Sequence, residues 1–183
     1  MRVIAGAAKG IRLGHVPRGV RPVSEMAREG LFSSLGSSVA GARVLDLYAG
    51  TGALAIEALS RGAESAVLVE RSRAAVRAIA ENLARARAAT SAAIIASDVL
   101  RFLMRDDKSV GPFDLVFADP PYATDEADVS EILRLLAGGW LGQPWTVALT
   151  RPSRSSTHVI PVDWPIARRL EYGDTLVLVF DRR

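Results

Sequence analysis

Short apolar runs alternate with segments of helical periodicity through most of this chain, and that alternation constrains the fold more than any other feature. The apolar runs lie near residues 43–48, 65–70, 92–97, 113–119 and 145–150. The helical segments lie near residues 53–61, 73–88, 98–106 and 126–138. Strands that alternate with helices usually pair in parallel, because each helix carries the chain back across the sheet. The sequence therefore predicts an α/β fold with a doubly wound, mostly parallel sheet.

Hairpins are predicted at both ends of the chain. Near the C-terminus, apolar runs at 166–170 and 176–180 flank Tyr172-Gly173-Asp174-Thr175, which favours an antiparallel pair at the sheet edge. Near the N-terminus, runs at 2–6 and 11–16 flank a basic turn that contains glycine. The sequence therefore adds an N-terminal β-hairpin to the α/β sheet.

Two other segments have local signals. Ser24 is a predicted N-cap, and the helix that follows it should continue to about Leu35. Between Leu149 and Trp164, two prolines, a third just beyond at Pro165, and a serine-rich stretch predict irregular backbone rather than a long helix.

A glycine-rich turn follows the first strand of the predicted sheet. The sequence Val44-Leu45-Asp46-Leu47-Tyr48-Ala49-Gly50-Thr51-Gly52-Ala53-Leu54-Ala55 indicates a strand, a tight turn and a helix start. The spacing Gly50-x-Gly52-x-x-Ala55 also fits a dinucleotide-binding loop, with Glu70 at the end of the next strand. Asp46 argues for another ligand, because a carboxylate there favours a cation over a pyrophosphate. S-adenosylmethionine carries both an ammonium and a sulfonium.

The tetrapeptide Asp119-Pro120-Pro121-Tyr122 closes another buried strand. Two successive prolines remove two backbone donors, which leaves carbonyl oxygens and the Asp119 carboxylate as acceptors beside an aromatic ring. Such a site suits a planar group that bears an NH2. The alternative is a plain turn after the strand, in which the tyrosine only covers an edge.

Both motifs, in this order, resemble those of class I methyltransferases, whose amino-methylating members carry D/N-P-P-Y/F/W. The segment Arg21-Pro22-Val23-Ser24-Glu25-Met26-Ala27-Arg28-Glu29-Gly30-Leu31-Phe32 is similar to R-P-T-T-D-R-V-R-E-x-L-F of the RsmD-type family, the guanine-N2 methyltransferases of bacterial small-subunit ribosomal RNA. Val3-Ile4-Ala5-Gly6 and Tyr172-Gly173-Asp174-Thr175 match as well. Three residues, Val23, Met26 and Gly30, depart from the family pattern.

The resemblance implies a Rossmann-like class I methyltransferase sheet of seven strands, mostly parallel, with a C-terminal antiparallel hairpin. It implies methyl transfer from S-adenosylmethionine to the exocyclic N2 amine of a guanine in 16S ribosomal RNA, within a partly or fully assembled small subunit. The implied cofactor-binding residues are Asp46, Tyr48, Ala49, Gly50, Thr51, Gly52, Ala53, Leu54, Glu70, Arg71, Asp98 and Val99. Glu70 would accept the ribose hydroxyls and Asp98 the adenine amine, although Asp98 is equally a candidate N-cap.

The catalytic residues implied are Asp119, Pro120, Pro121 and Tyr122. The Asp119 carboxylate and the Pro120 carbonyl would accept the two hydrogens of the target amine and hold its nitrogen in line with the methyl group. Tyr122 would stack on a base rotated out of its helix or loop. Two alternatives stay open: a DNA adenine-N6 methyltransferase, which normally has an additional target-reading domain, and a non-catalytic module that binds S-adenosylmethionine and RNA.

Basic charge is concentrated upstream of the glycine-rich turn. Residues 1–41 hold six basic and two acidic side chains, a net charge of +4, while the rest of the chain carries −1. A polyanion could bind there, although a solvated surface is the simpler reading. The predicted RNA contacts are Lys9, Arg12, Arg18, Arg21 and Arg28. We expect residues 1–20 to be a basic hairpin extension, removable without loss of cofactor binding, and residues 21–183 to be the methyltransferase domain.

Composition excludes several classes of site. The chain has no cysteine, which rules out disulfides and cysteine-ligated metals, and its two histidines argue against a histidine metal centre. We therefore expect no metal. No apolar stretch approaches the roughly 20 residues that span a bilayer, and no signal-peptide core is evident, so a cytoplasmic protein with no membrane partner is expected.

Overall fold

The computed structural model describes residues 1–14, 16–17, 23–155 and 163–182. The strands are β1 (Arg43–Leu47), β2 (Ser65–Glu70), β3 (Ala92–Ala96), β4 (Phe113–Ala118), β5 (Leu141–Pro152), β6 (Ile166–Tyr172) and β7 (Thr175–Arg182). The α-helices are α1 (Glu25–Leu35), α2 (Ala53–Ser60), α3 (Arg73–Arg85), α4 (Val99–Leu103) and α5 (Glu126–Ala137). Within the described residues the strands form one sheet of seven, in the order β3-β2-β1-β4-β5-β7-β6.

The sheet is parallel from β3 to β5, and β7 and β6 join it antiparallel. Leu47 at the end of β1 is opposite Val69 of β2 on one side and Ala118 of β4 on the other. The carboxyl ends of these three strands therefore lie at one edge of the sheet, and the strand order reverses between β1 and β4. The predicted doubly wound, mostly parallel sheet with a C-terminal hairpin is confirmed.

Polar side chains at helix starts explain where several helices begin. Ser24 accepts a hydrogen bond from the Ala27 amide at 3.1 Å, and Asp125 accepts one from the Asp128 amide at 2.9 Å. Each bond satisfies a backbone donor that has no partner inside its helix. Ser24 is therefore the N-cap that the sequence predicted.

The sheet is buried on both faces. One face is covered by α1, α2 and α3, with Phe32, Ile56 and Ile79 in its core. The other face is covered by α4 and α5, with Phe102 and Trp140 in its core. None of the described helices combines the length and the apolar character that a membrane crossing needs.

The N-terminal hairpin is present in reduced form. Arg2 and Arg12 form a single antiparallel bridge, and the Val3 amide donates to the Ile11 carbonyl at 3.0 Å. Val3 and Leu13 are buried against the α1–α3 face. The segment is therefore a tight loop that packs on the core, not a pair of regular strands.

The largest boundary difference concerns the last parallel strand. Its sequence pattern covers 145–150, but β5 extends from Leu141 to Pro152. Pairing with β7 continues as far as Pro152 opposite Thr175, and this long-range partner supplies hydrogen bonds that a local pattern does not show. The irregular backbone predicted beyond Leu149 is therefore strand at first; residues 156–162 lie outside the described residues.

Candidate active site

A cavity of about 510 Å³ lies where the carboxyl ends of the parallel strands meet. Ligands of doubly wound sheets bind in this position, at the reversal of strand order. All four residues of the Asp119–Tyr122 tetrapeptide line the cavity. So do ten predicted cofactor residues: Asp46, Tyr48, Ala49, Gly50, Thr51, Ala53, Leu54, Glu70, Arg71 and Val99. Gly52 and Asp98 are the two that do not.

The loop after β1 turns sharply through left-handed backbone. Tyr48 has φ 62°, Gly50 58° and Gly52 76°. The turn is closed by a hydrogen bond from the Gly52 amide to the Ala49 carbonyl at 2.7 Å. A tyrosine in this region is strained by about 1–2 kcal/mol, and such strain often accompanies a functional loop.

Glycine at position 52 is required by its backbone conformation and by the core beneath it. A Cβ at this position would lie 3.2 Å from Leu68 and 3.4 Å from Ile79, both core side chains. It would point into the core beneath the loop, so a cofactor's close approach does not explain this glycine. The positive φ of Gly52, which precedes the first residue of α2, and the crowded core explain it instead.

Asp46 is a buried carboxylate beside the cavity, with 1% of its surface exposed. The Ala55 amide donates a hydrogen bond to it at 3.1 Å. Burial, with smaller contributions from the charges of Asp119 and Glu70, raises the pKa of Asp46 to about 8, against the opposing effect of the Ala55 hydrogen bond. A cation placed in the cavity would be attracted by Asp119 and Glu70, and by Asp46 once that carboxyl ionises.

Glu70 joins the second strand to the glycine-rich loop. One carboxylate oxygen accepts from the Gly50 amide at 3.0 Å, and the other accepts from the Ser72 amide at 2.8 Å. Each oxygen can accept a second hydrogen bond. These two backbone bonds fix the carboxylate at the cavity wall, where the predicted ribose contact stays a prediction.

Asp98 serves as the N-cap of α4. Its side chain accepts from the Arg101 amide at 3.3 Å and lies 3.9 Å from the Arg71 guanidinium. The capping alternative that the sequence left open is thus what the structure shows, while Val99 lines the cavity. Contact between Asp98 and an adenine amine stays a prediction.

The Asp119–Tyr122 tetrapeptide begins a loop that crosses the edge of the sheet to α5. The Asp119 amide donates to the Leu47 carbonyl at 3.3 Å, and the Thr124 amide donates to the Pro121 carbonyl at 2.8 Å. The Tyr122 hydroxyl and the Thr175 hydroxyl are 3.0 Å apart, within hydrogen-bond distance. The loop is therefore shaped as a turn and tied to the C-terminal hairpin.

Sequence reasoning missed several residues of the cavity wall as site residues. These are Val23, Val69, Ser72, Ser97, Ala123, Thr150 and Thr175. Thr175 begins an antiparallel strand, so its amino end lies at the edge where the parallel strands end. The only signal for Thr175 was its place in the family-like Tyr172–Thr175 sequence.

The predicted RNA contacts fall into three groups. Lys9 and Arg12 are exposed, as a phosphate contact requires. Arg18 and Arg21 lie outside the described residues. The prediction for Arg28 is wrong, because its side chain is fully buried.

Arg28 is held inside the protein by backbone and charge. Its guanidinium donates to the Arg2 carbonyl, and its Nε lies 3.9 Å from a Glu57 oxygen. Burial lowers the pKa of Arg28, against the opposing effect of the Glu57 charge. The residue fastens α1 to the N-terminal segment and α2.

Buried side chains of α2 also hold the N-terminal segment. Glu57 accepts from the Ile4 amide at 2.8 Å and from the Ala5 amide at 3.0 Å. Ser60 accepts from the Ala8 amide at 2.9 Å. The segment thereby satisfies polar groups that would otherwise be buried without partners.

Two further hydrogen bonds join the N-terminal segment to the glycine-rich loop through Asn82 of α3. Buried Asn82 accepts from the Gly14 amide at 2.7 Å and donates to the Thr51 carbonyl at 2.9 Å. Removal of residues 1–20 would break this connection, so the expectation that such a truncation spares cofactor binding loses its physical basis.

Known proteins resemble this chain along its whole length. A family model described as Conserved hypothetical protein 95 matches residues 1–181. Ribosomal RNA small subunit methyltransferase D of Escherichia coli K12 is 32% identical over 185 residues, which cover 100% of this chain and 90% of that protein.

Two solved structures share the fold. Escherichia coli yhhF, described as a candidate methyltransferase, has a TM-score of 0.85 at 32% identity, with 100% of this chain and 98% of that chain covered. SMU.776, a candidate methyltransferase in complex with SAH, has a TM-score of 0.71 at 14% identity, with 86% of this chain and 48% of that chain covered.

Proposed function

Because this chain belongs to the ribosomal RNA small subunit methyltransferase D family, which matches the Conserved hypothetical protein 95 model, we propose that it methylates the exocyclic N2 amine of a guanine in 16S ribosomal RNA. The methyl donor is S-adenosylmethionine. The main support for the proposal is that the Asp119–Tyr122 tetrapeptide lines an acidic cavity at the point where the strand order reverses.

The cavity suits this donor in charge and in kind. Buried Asp46 has a neighbouring Asp119 and Glu70, and a sulfonium or ammonium would relieve the repulsion among these carboxylates. Glu70 is fixed at the end of β2, the position from which an acidic residue reaches a ribose in this class of fold. The donor, when bound, supplies an electrophilic methyl group and a neutral thioether leaving group.

The target nitrogen needs help because its lone pair is delocalised into the guanine ring. The Asp119 carboxylate and the Pro120 carbonyl accept hydrogen bonds from its two N–H groups. These bonds localise electron density on the nitrogen and direct its lone pair at the methyl carbon. A nitrogen–carbon bond forms as the sulfur–carbon bond breaks, and the excess proton leaves through Asp119 or to water. Tyr122 stacks on the base beside this centre.

The exposed Lys9 and Arg12 bind RNA phosphates, together with Arg18 and Arg21. These groups supply sequence-independent attraction, and the cavity supplies selection of the base. The natural substrate is a partly or fully assembled small subunit.

A transfer assay with radiolabelled methyl donor tests the proposal. We expect label in small-subunit RNA or assembled small subunits, none in DNA, and N2-methylguanosine as the modified nucleoside by mass spectrometry. Label only in DNA as N6-methyladenine would replace this function with the adenine-specific alternative. Binding of donor and RNA without any label would identify a non-catalytic module.

Substitution of Asp119 separates chemistry from binding. Asp119→Ala should lower kcat by about 10²–10³-fold, because the target amine loses a charged acceptor. The donor affinity should change far less. Asp106→Ala, at an exposed acidic residue outside the cavity, is the matched control and should retain full activity.

A further inference from the structure

Two side chains of the C-terminal half of the sheet hold the Asp119–Tyr122 loop from opposite faces. Arg151 is opposite Leu176, which belongs to the core beneath α4 and α5. Thr175 is two residues before Val177, which belongs to the core beneath α1, α2 and α3. Since successive side chains of a strand point to opposite faces, Arg151 and Thr175 lie on different sides of the sheet.

On one face, the contact is made by a buried guanidinium. Arg151 is 4% exposed, and its Nη1 donates to the Thr124 carbonyl at 3.4 Å. Its Nε has no acceptor among the described residues. A buried guanidinium nitrogen without an acceptor is unfavourable for stability, and an apolar residue would fill the same space without that penalty. Its position against the loop supplies a reason for the arginine.

On the other face, the contact is made by two hydroxyls. Tyr122 lies 3.0 Å from Thr175, oxygen to oxygen. Both residues line the cavity. Because the hydroxyl end of the ring is held, the ring is restrained from swinging away from the position at which a base would stack.

We propose that Arg151 and Thr175 are positioning residues for methyl transfer. Together they fix the loop at Thr124 and at Tyr122. The acceptor oxygens of Asp119 and Pro120 therefore keep a constant position in the cavity wall. This inference rests on the proposed function, because it assigns the loop to the target amine. Both residues are assigned an effect through the loop, at Thr124 and at Tyr122, and no chemical step.

A double-mutant cycle tests the Thr175 contact. Tyr122→Phe and Thr175→Val should each lower kcat/KM for RNA by about 5–10-fold, the worth of one hydrogen bond. The double variant should lose no more than either single variant, because both changes remove the same bond. Multiplicative losses would overturn the proposal for Thr175, since each hydroxyl would then act independently.

Arg151 is tested by Arg151→Met and Arg151→Lys. Arg151→Met should lower kcat by about tenfold or more, with little change in donor affinity, while Arg151→Lys should recover part of the loss. Wild-type kcat in Arg151→Met would overturn the proposal for Arg151. A urea midpoint no lower than that of wild type in both variants separates this effect from unfolding.

Hydrogen exchange of the Thr124 amide gives a readout that needs no substrate. This amide donates to Pro121 inside the loop and should exchange faster in Arg151→Met than in wild type. If wild type transferred no methyl group to RNA, the proposed function would fail while faster exchange still supported the positioning contact. Equal exchange in both proteins would overturn that contact.

Discussion

Asn82 links Gly14 to Thr51: its side-chain oxygen accepts from the Gly14 amide at 2.7 Å, and its side-chain nitrogen donates to the Thr51 carbonyl at 2.9 Å. Asn82 is 1% exposed, so water cannot replace either bond without a rearrangement. The N-terminal segment and the glycine-rich loop after β1 are therefore held by one side chain.

Replacement of Asn82 should disturb both of its partners. Asn82→Leu leaves the half-buried Gly14 amide and the buried Thr51 carbonyl without their partner, and we expect a loss of about 2–4 kcal/mol in the free energy of unfolding. Affinity for S-adenosylmethionine should also fall, because Thr51 lines the cavity. Urea unfolding and calorimetric titration measure the two effects. Glu81→Leu, at the exposed neighbouring position, is the control and should leave both quantities nearly unchanged.

Cofactor affinity should increase with pH because of Asp46. In the ligand-free protein this carboxyl has a pKa of about 8, so at neutral pH it is mostly protonated and must ionise to attract a cation. We expect affinity to rise by up to about tenfold per pH unit toward pH 8 and then to level off. Titrations between about pH 6 and 9 measure this slope. Asp46→Asn should bind the donor more weakly, with an affinity that does not change with pH. If the affinity of wild type were also independent of pH, Asp46 would not contact the cation.

The same residue should make the ligand-free protein less stable at high pH. The folded-state pKa of Asp46 is raised from 3.8 to about 8, so protonation favours the folded state. That contribution is fully present below the unfolded-state value and is lost as pH rises through about 8. Urea unfolding should therefore show wild type losing stability relative to Asp46→Asn across this interval. A constant difference between the two proteins would contradict the raised pKa.

Gly52→Val should act mainly on stability. The valine backbone would have to keep a positive φ, and its side chain would crowd Leu68 and Ile79. We expect a loss of about 2–4 kcal/mol in the free energy of unfolding. Gly173→Val is a matched control, because Gly173 has φ 61° but open space around its Cβ position. It should lose only about 1–2 kcal/mol. Similar losses in urea unfolding would show that backbone strain alone decides the need for glycine at position 52.

The exposed basic residues of the N-terminal loop should govern the salt dependence of RNA binding. Truncation would uncover Glu57 and Asn82, so Lys9→Gln combined with Arg12→Gln is the cleaner change. Two lost phosphate contacts should reduce the log–log salt slope by about 1.4 on single strands, with donor affinity unchanged. Arg77→Gln, on the exposed face of α3, is the charge-matched control for one such loss. An unchanged slope in the double variant would make these residues a solvated surface.

Local patterns were enough to predict the strand, turn and helix around Asp46 and Gly50. Those elements follow from apolar periodicity and glycine within a dozen residues. Arg28 could not be predicted in the same way, because its burial depends on Glu57 and on the Arg2 carbonyl, which are distant in sequence. A basic residue on a short helix looks exposed until its partners are known.

The Asp119–Tyr122 tetrapeptide was found because its residue types carry the chemistry. Thr175 and Arg151 were not, because a threonine and an arginine in strands have many ordinary roles. The antiparallel pairing of β5 with β7 brings the start of β7 to the end of β5, which places Thr175 at the cavity and Arg151 against the Thr124 carbonyl.

The hydrogen bonds that anchor the N-terminal loop determine when this loop can fold during protein synthesis. Ile4 finds its acceptor 53 residues later in the sequence, at Glu57, and Gly14 finds its acceptor 68 residues later, at Asn82. A ribosome releases the basic loop first, yet the loop has no docking surface until both helices have emerged and folded. Lys9 and Arg12 therefore reach their final arrangement only in a chain whose α2 and α3 have already folded.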